Sequence, residues 1–563
     1  MAKRINYDGW SKEELIKELH RIKETRYGLV WHRDLPEEKI DTLINPDART
    51  PNEIFPNEIT GKPFPVLKEI EKLEIKINDS DPFNLLIEGD NFHSLAVLNF
   101  THPEAVDLIY IDPPYNTGNK DFTYNDKIVD PDDPFRHSKW LSFMERRLKL
   151  AKKLLKKTGI IFISIDDHEG AQLKMLCDEI FGEVNFIANF IWNSTKSITN
   201  PALVSVAHTY TLAYAKNKSK YDLSYRKNFK LPAILTGFSN PDNDSRGPWK
   251  ADPFEAGGIR PNQMYEIKNP ITGQIFLPNK GNCWKNDFNK FKDLLAGNRI
   301  VFGKDGKGRP QRKRFLWEAE ERGLTPNTWW DDVGTTTNGT MELKNILGDK
   351  LFNNPKPVSL IKKIITLATQ KESIVLDFMA GSGTTGQAVL ELNKEDGGHR
   401  QFILCTNNEN NICSDICYPR IKKNILGYTN LKKEKIAGLG GNLKYYKCDF
   451  VEAESTDQNK RKLVNKSTEM LCIHEKAFEL VIEKEGYKIF KNNDHHLGIV
   501  FYEDAINDFK KTITKIGGQC NAYIFSMTDD PYKNLFTDIA NNITLCAIPE
   551  VILKIYREIF KEQ

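Results

Sequence analysis

Several things are missing from this 563-residue chain, and each absence narrows the field. No run of about 18 apolar residues occurs, so no membrane-spanning helix is expected. Met1-Ala2-Lys3-Arg4 opens no apolar signal region, which points to a soluble chain that is not secreted. Cysteine is present at nine positions, an odd number without a disulfide-like framework, and this fits a reducing, cytoplasmic setting. Cys413 and Cys417 have no second pair or histidine nearby, and His168 stands without a second histidine, so no metal site is expected. There is no Gly-Lys-Ser/Thr phosphate loop and no nuclease motif, so strand cleavage cannot come from this chain alone. Charge imbalance is also lacking: 80 basic residues face 77 acidic ones, and a net +3 leaves any nucleic-acid affinity to local patches.

What the chain does carry is two unusual strand ends. The apolar run Val106 to Ile111 reads as a fully buried parallel strand and stops at Asp112-Pro113-Pro114-Tyr115. Ligands of open α/β sheets bind at such carboxyl ends. These residue types suit a flat base bearing an exocyclic amine. Asp112 and the Pro113 carbonyl can accept its two N–H donors, Pro113 and Pro114 stiffen the loop, and Tyr115 can stack on the ring. The second strand, Ser373 to Leu376, runs into Asp377-Phe378-Met379-Ala380-Gly381-Ser382-Gly383-Thr384 and then a helix. Its glycines allow close backbone approach at a helix N-terminus, but the pattern is neither G-x-G-x-x-G nor a P-loop.

Together these motifs resemble those of the amino-methylating, S-adenosylmethionine-dependent DNA methyltransferases. In that family Asp-Pro-Pro-Tyr grips the target base and Phe-x-Gly-x-Gly holds the cofactor, here as Phe378, Ala380, Gly381, Ser382 and Gly383. The base motif precedes the cofactor motif, an order similar to the family's β group. That resemblance implies a doubly wound, mostly parallel, Rossmann-like α/β sheet that is circularly permuted, with an α+β target-recognition domain inserted between its halves. It further implies cofactor contacts from Asp90, Lys356, Pro357, Asp377, Thr384 and Glu409, with Asp377 taking the ammonium and Glu409 the ribose hydroxyls. Asp90 can equally cap a helix, and Pro357 can simply start one. An aspartate at the head of the tetrapeptide favours adenine N6, with cytosine N4 or a stand-alone type II modification enzyme as the alternative.

The expected organisation is an N-terminal helical arm over 1–80, a catalytic half over 81–190, target recognition over 191–335, a cofactor half over 336–430 and a C-terminal α+β domain over 431–563. The arm holds a charged helix from Ser11 to Thr25. The loop after Asn116-Thr117-Gly118, with Phe122 and Tyr124, is placed to cover a flipped base. Asp166-Asp167-His168-Glu169 reads as helix capping after a buried strand. Trp249, Trp284, Trp317, Trp329 and Trp330 fall in the presumed recognition domain. So does a basic stretch of Arg299, Lys304, Lys307, Arg309, Arg312, Lys313 and Arg314 against the single acid Asp305, which suits phosphate contacts. Finer similarities, including Trp329-Trp330-Asp331-Asp332 and the tail from Lys460, resemble modification subunits of type III restriction-modification systems. These imply a homodimer on double-stranded DNA and a separate helicase–nuclease partner.

Overall fold

The computed structural model describes residues 10–17, 64–78, 81–117, 136–198, 202–219, 229–303, 306–349, 351–452, 456–526, 530–548 and 550–554. The chain divides into two compact units, Met1–Ser224 with Thr328–Gln563, and Tyr225–Asn327.

The larger unit is built on a ten-stranded mixed sheet. Its strands are β1 (Phe64–Glu69), β2 (Phe83–Glu88), β3 (Val106–Ile111), β4 (Leu155–Ile165), β5 (Phe186–Trp192), β6 (Thr209–Ala215), β7 (Trp329–Trp330), β8 (Ile374–Asp377), β9 (Gln401–Thr406) and β10 (Asn442–Val451). They lie in the order β1-β10-β2-β9-β8-β3-β4-β6-β5-β7. From β10 to β4 all neighbours are parallel, whereas β1 and β6 each run against their neighbours. The parallel strands read as continuous apolar runs because both faces are covered, and Leu86, Leu108, Ile109, Ile161, Leu376 and Leu404 are fully buried.

The covering helices are α1 (Asn91–Thr101), α2 (Arg136–Leu154), α3 (Gly170–Phe181), α4 (Thr336–Leu347), α5 (Val358–Ala368), α6 (Thr384–Asp396) and α7 (Tyr418–Leu426). Helices α1, α2 and α3 pack in succession, as do α5, α6 and α7. The chain leaves β3 through α2 to its neighbour β4, but leaves β8 through α6 in the opposite direction to β9. Right-handed crossovers therefore put α2 and α6 on opposite faces, and the gap between β3 and β8 is a topological switch point. Those two strands pair directly, Val375 with Leu108 and Leu376 with Ile109. Asp107 reinforces the seam by accepting from the Ile374 N–H at 2.9 Å while pairing with Lys156 on β4 at 2.8 Å.

The expected boundaries shift in four places. Strand β1 belongs to the sheet edge, so the arm does not extend to residue 80. Strands β5, β6 and β7 extend the main sheet, leaving a compact insertion of Tyr225–Asn327 in place of 191–335. Trp329 and Trp330 form β7, where Trp330 stacks on Phe190 at 4.3 Å. Strand β10 carries the main sheet past residue 431. The tail then forms a separate five-stranded sheet from Glu479–Lys484 to Ile543–Ile548. Of the expected N-terminal helix, residues 12–17 are described as helical, behind a Ser11–Glu14 capping box.

The smaller unit has its own core of Phe254, Ile267, Phe276, Trp284, Phe291, Leu294, Ile300 and Phe302. A three-stranded antiparallel sheet joins Trp249–Pro253, Gln311–Phe315 and Ile300–Val301.

Candidate active site

The carboxyl ends of β2, β9, β8 and β3 point the same way, which brings Asp90, Asn407, Asp377 and Asp112 to one edge of the sheet. After β3 the chain turns through Pro113 and Pro114. Asp112 accepts on Oδ1 from the Tyr115 hydroxyl at 3.0 Å and on Oδ2 from Lys356 Nζ, whose side chain is only 11% exposed. The Lys356 ammonium also lies 5.2 Å from the centre of the Tyr115 ring. Lys356 thus joins Asp112 and Tyr115, and its charge also acts on Asp377 at the start of the glycine loop. Trp140 on α2 donates to the Pro114 carbonyl at 2.8 Å. Burial, and then the Asp112 charge, hold the Tyr115 phenol well above its ordinary range, so it stays protonated and donates. Pro357 occupies the N-cap position of α5, the helix-starting role that its residue type allows.

Beside this loop, β8 ends at Asp377. Its Oδ1 accepts from the Met379 N–H at 3.0 Å and its Oδ2 from the Thr385 hydroxyl at 2.5 Å, so the carboxylate also shapes the glycine loop. Burial pushes the Asp377 carboxyl up to about 7, against the lowering effect of those two donors. Gly381 and Gly383 take left-handed backbone angles, φ 50° and 77°. A Cβ on Gly383 would also stand 3.0 Å from Cys417 Sγ, so glycine is required on two grounds. Gly383 is the N-cap of α6 and no side chain caps that helix, which leaves its first N–H groups facing the loop. Phe378 is fully buried in the core.

Asp90 accepts from the Phe92 N–H at 2.8 Å and caps α1. Burial works to raise its carboxyl, but Arg147 at 3.4 Å, His93 and backbone N–H groups outweigh this and hold it below the usual range. Glu409 lies in a half-buried turn beyond β9. The segment containing Phe122 and Tyr124 lies outside the described residues.

A family model described as DNA methylase matches residues 106–417, more than half of the chain and all of the seam between β3 and β8. The chain belongs to the DNA methylase family. Among its relatives is the Mod subunit of the type III restriction-modification enzyme StyLTI from Salmonella typhimurium, 39% identical over 358 residues, 57% of this chain and 52% of that one. The EcoPI Mod subunit of Escherichia phage P1 is 34% identical over 377 residues, 58% of each chain. The type II methyltransferase M.KpnI of Klebsiella pneumoniae is 33% identical over 394 residues, 64% of this chain and 90% of that one. The methylase thus spans about half the length of the type III relatives it matches.

Sequence reasoning missed one buried cation of this methylase. Arg420 on α7 is fully buried behind the glycine loop. It donates to the Ser382 carbonyl and hydroxyl at 3.3 and 3.0 Å, to the Thr384 hydroxyl at 2.8 Å and to Gln387 at 2.9 Å. Burial pulls its guanidinium down to about 10, still cationic at neutral pH. The side chains of Ser382 and Thr384 are therefore engaged from behind, and the loop offers its ligand side through backbone. The available signal was an arginine beside Ile421 on the helix face that also buries Tyr418, Asn424 and Ile425.

The basic stretch in the smaller unit is not the free cationic strip expected. Arg299 and Arg312 pair with Glu318, Arg309 with Glu255, and Arg314 with Asp252. Lys313 has no exposed surface and is held between Asp242 and Asp244. Lys304 lies outside the described residues, and Lys307 is exposed. Sequence shows the cations in one run, whereas their carboxylate partners arrive from other strands and turns of the unit.

All nine cysteines are free thiols. Among the described residues no cluster of His, Cys, Asp or Glu could hold a metal ion, and no helix is long and apolar enough to cross a membrane.

Proposed function

We propose that the chain methylates an exocyclic amine of a base in duplex DNA, with adenine N6 as the target, and serves as the modification subunit of a type III restriction-modification system. The observation that carries this is the pairing of β3 with β8, which sets the Asp112 carboxylate beside an uncapped, glycine-lined helix N-terminus. In this reading the insertion separates the halves of a circularly permuted methyltransferase sheet and serves target recognition. The chain acts as a homodimer, and a separate helicase–nuclease subunit does the cutting.

The residues present fit S-adenosylmethionine. Gly381, Ser382 and Thr384 can approach it through backbone N–H groups, while Gly383 closes the turn by donating its own N–H to the Ala380 carbonyl at 2.8 Å. Asp377 supplies a buried carboxyl for its ammonium, and Glu409 an acid for its ribose. When bound, it supplies an electrophilic sulfonium methyl. The chain's own groups then act on the base. Extruding the base costs a few kcal/mol, offset in part by stacking on Tyr115. Its amine is a poor nucleophile because the lone pair is delocalised into the ring. Accepting hydrogen bonds at Asp112 and the Pro113 carbonyl favours the pyramidal form, and orientation supplies much of the acceleration. Because Lys356 and Tyr115 already bond Asp112, the amine must share that carboxylate or displace one of them.

Single-molecule sequencing of DNA from cells expressing the chain, beside an Asp112→Ala control, tests the reading. Methyl-adenine at a short asymmetric site, absent in the control, is the expected result. Methyl-cytosine would reassign the base, and unmodified DNA from cells holding folded protein would overturn the proposal.

A further inference from the structure

Glu169 stands at the N-cap position of α3, where sequence expects a capping acid, yet its side chain makes no capping bond. The carboxylate is fully buried. Its Oε1 accepts from Asn116 Nδ2 at 2.5 Å and from His137 Nδ1 at 2.7 Å. Its Oε2 is buried with no partner among the described residues. Arg136 Nε donates to His137 Nε2 at 3.2 Å, which fixes the imidazole as the tautomer carrying its proton on Nδ1. Burying a carboxylate under two donors is unfavourable unless its position matters. What it holds is Asn116, the residue following the tetrapeptide, at φ 59°. That left-handed conformation is one asparagine tolerates but does not prefer, and an external bond is needed to maintain it.

A second grip lies on the other side of Tyr115. Trp140, three residues beyond His137 on α2, bonds the Pro114 carbonyl. Tyr115 is thus bracketed, with Pro114 tied to α2 and Asn116 tied to the start of α3. We infer that Glu169 is a positioning residue for the base site, acting through Asn116 to aim Tyr115 and Asp112 at the target amine. This inference rests on the proposed methyltransferase reading. Glu169 itself touches neither base nor cofactor in it, and the cofactor loop on β8 is built from other residues.

Three full-length variants test the clamp: Glu169→Ala, Glu169→Gln and Asn116→Gly. Methyl incorporation into bulk genomic DNA from a host lacking the modification gives kcat and the DNA KM. Calorimetry gives S-adenosylmethionine affinity, and thermal unfolding gives the melting temperature. Glu169→Ala should lower kcat roughly a hundredfold, as expected for an ångström-scale misplacement. Glu169→Gln keeps an oxygen that can accept both donors and should recover most of that loss. Asn116→Gly keeps the left-handed backbone but deletes the amide, so it should lose kcat about as Glu169→Ala does. The double variant Glu169→Ala/Asn116→Gly should have a kcat no lower than Glu169→Ala, because the bond between Asn116 and Glu169 is already lost in that single variant. Cofactor affinity should stay within about twofold throughout, since the two loops sit on different strands.

Wild-type kcat in Asn116→Gly would show that backbone angle alone matters and would overturn the inference. So would a parallel collapse of kcat, cofactor affinity and melting temperature in Glu169→Gln and Asn116→Gly, the mark of a merely structural role. If Glu169→Ala does not fold, those two variants still decide. Wild-type protein that incorporates no methyl would instead overturn the proposed function, and the clamp with it.

Discussion

Asp377 combines a loop-shaping role with an unusual titration. Its carboxyl rises from the ordinary 3.8 to about 7 because burial outweighs the Thr385 and Met379 donors. A raised acid binds its proton more tightly in the folded state. Its contribution to stability is therefore present at low pH, declines as pH rises from about 4 to 7, and is constant above that. A cationic ligand group beside it reverses the preference, because only the ionised carboxylate attracts an ammonium. S-adenosylmethionine affinity should accordingly fall by about fivefold between pH 7 and pH 6 and level off above pH 8. Calorimetry across that range checks this, and Asp377→Asn should flatten the profile. A wild-type affinity independent of pH would rule out Asp377 as the ammonium partner. The existence of this carboxyl was legible in sequence, since it ends a β-branched run just before the glycines. Its titration was not, because burial and the Thr385 contact are properties of the fold.

At the level of elements, the two strand ends were readable because each is a local pattern: an apolar run, then a turn of special composition. Contacts between distant segments were not. Lys356 lies 244 positions from Asp112 in sequence, and only the fold brings the two together, with α4 packed against the backbone of Pro355 and Lys356. Gly339 on α4 shows how close that packing is: a Cβ there would stand 2.1 Å from the Pro355 carbonyl oxygen. Replacing a mid-helix glycine by alanine ordinarily stabilises a helix by about 1 kcal/mol. Here Gly339→Ala should instead destabilise by about 1–3 kcal/mol through overpacking and should lower methyl transfer by displacing Lys356. Urea unfolding and an activity assay test it, and a more stable, fully active variant would refute the packing argument.

Lys313 carries a similar lesson. As a letter in a basic run it suggested phosphate binding, but it is enclosed by Asp242 and Asp244. Lys313→Met takes the buried cation from Asp242 and leaves Asp244 with Arg246 alone, and should lower the melting temperature of the protein. A phosphate-contacting lysine would behave otherwise, with unchanged stability and a shallower salt dependence of DNA binding.

For the whole molecule, the compact unit Tyr225–Asn327 is shorter than the stretch 191–335 that the sequence suggests. Asn-, Gly- and aromatic-rich composition continues through β5, β6 and β7, so it does not mark where the main sheet stops. The sheet itself does, and its centre is a seam between chain segments far apart in sequence. Strands β3 and β8 meet through backbone hydrogen bonds and the Asp107 bridge, with no connection between them that is local in the chain. Opening the backbone between Ser224 and Tyr225 should therefore leave two fragments that co-purify when expressed together and regain methyl transfer, each being inactive alone. Failure of the fragments to associate would mean that chain continuity is needed to close the seam. Where they do associate, fusing each fragment to one of two proteins of interest would make methylation conditional on their meeting. Chromosomal DNA would then keep an inheritance-diluted, sequence-readable memory of that encounter long after the proteins have gone.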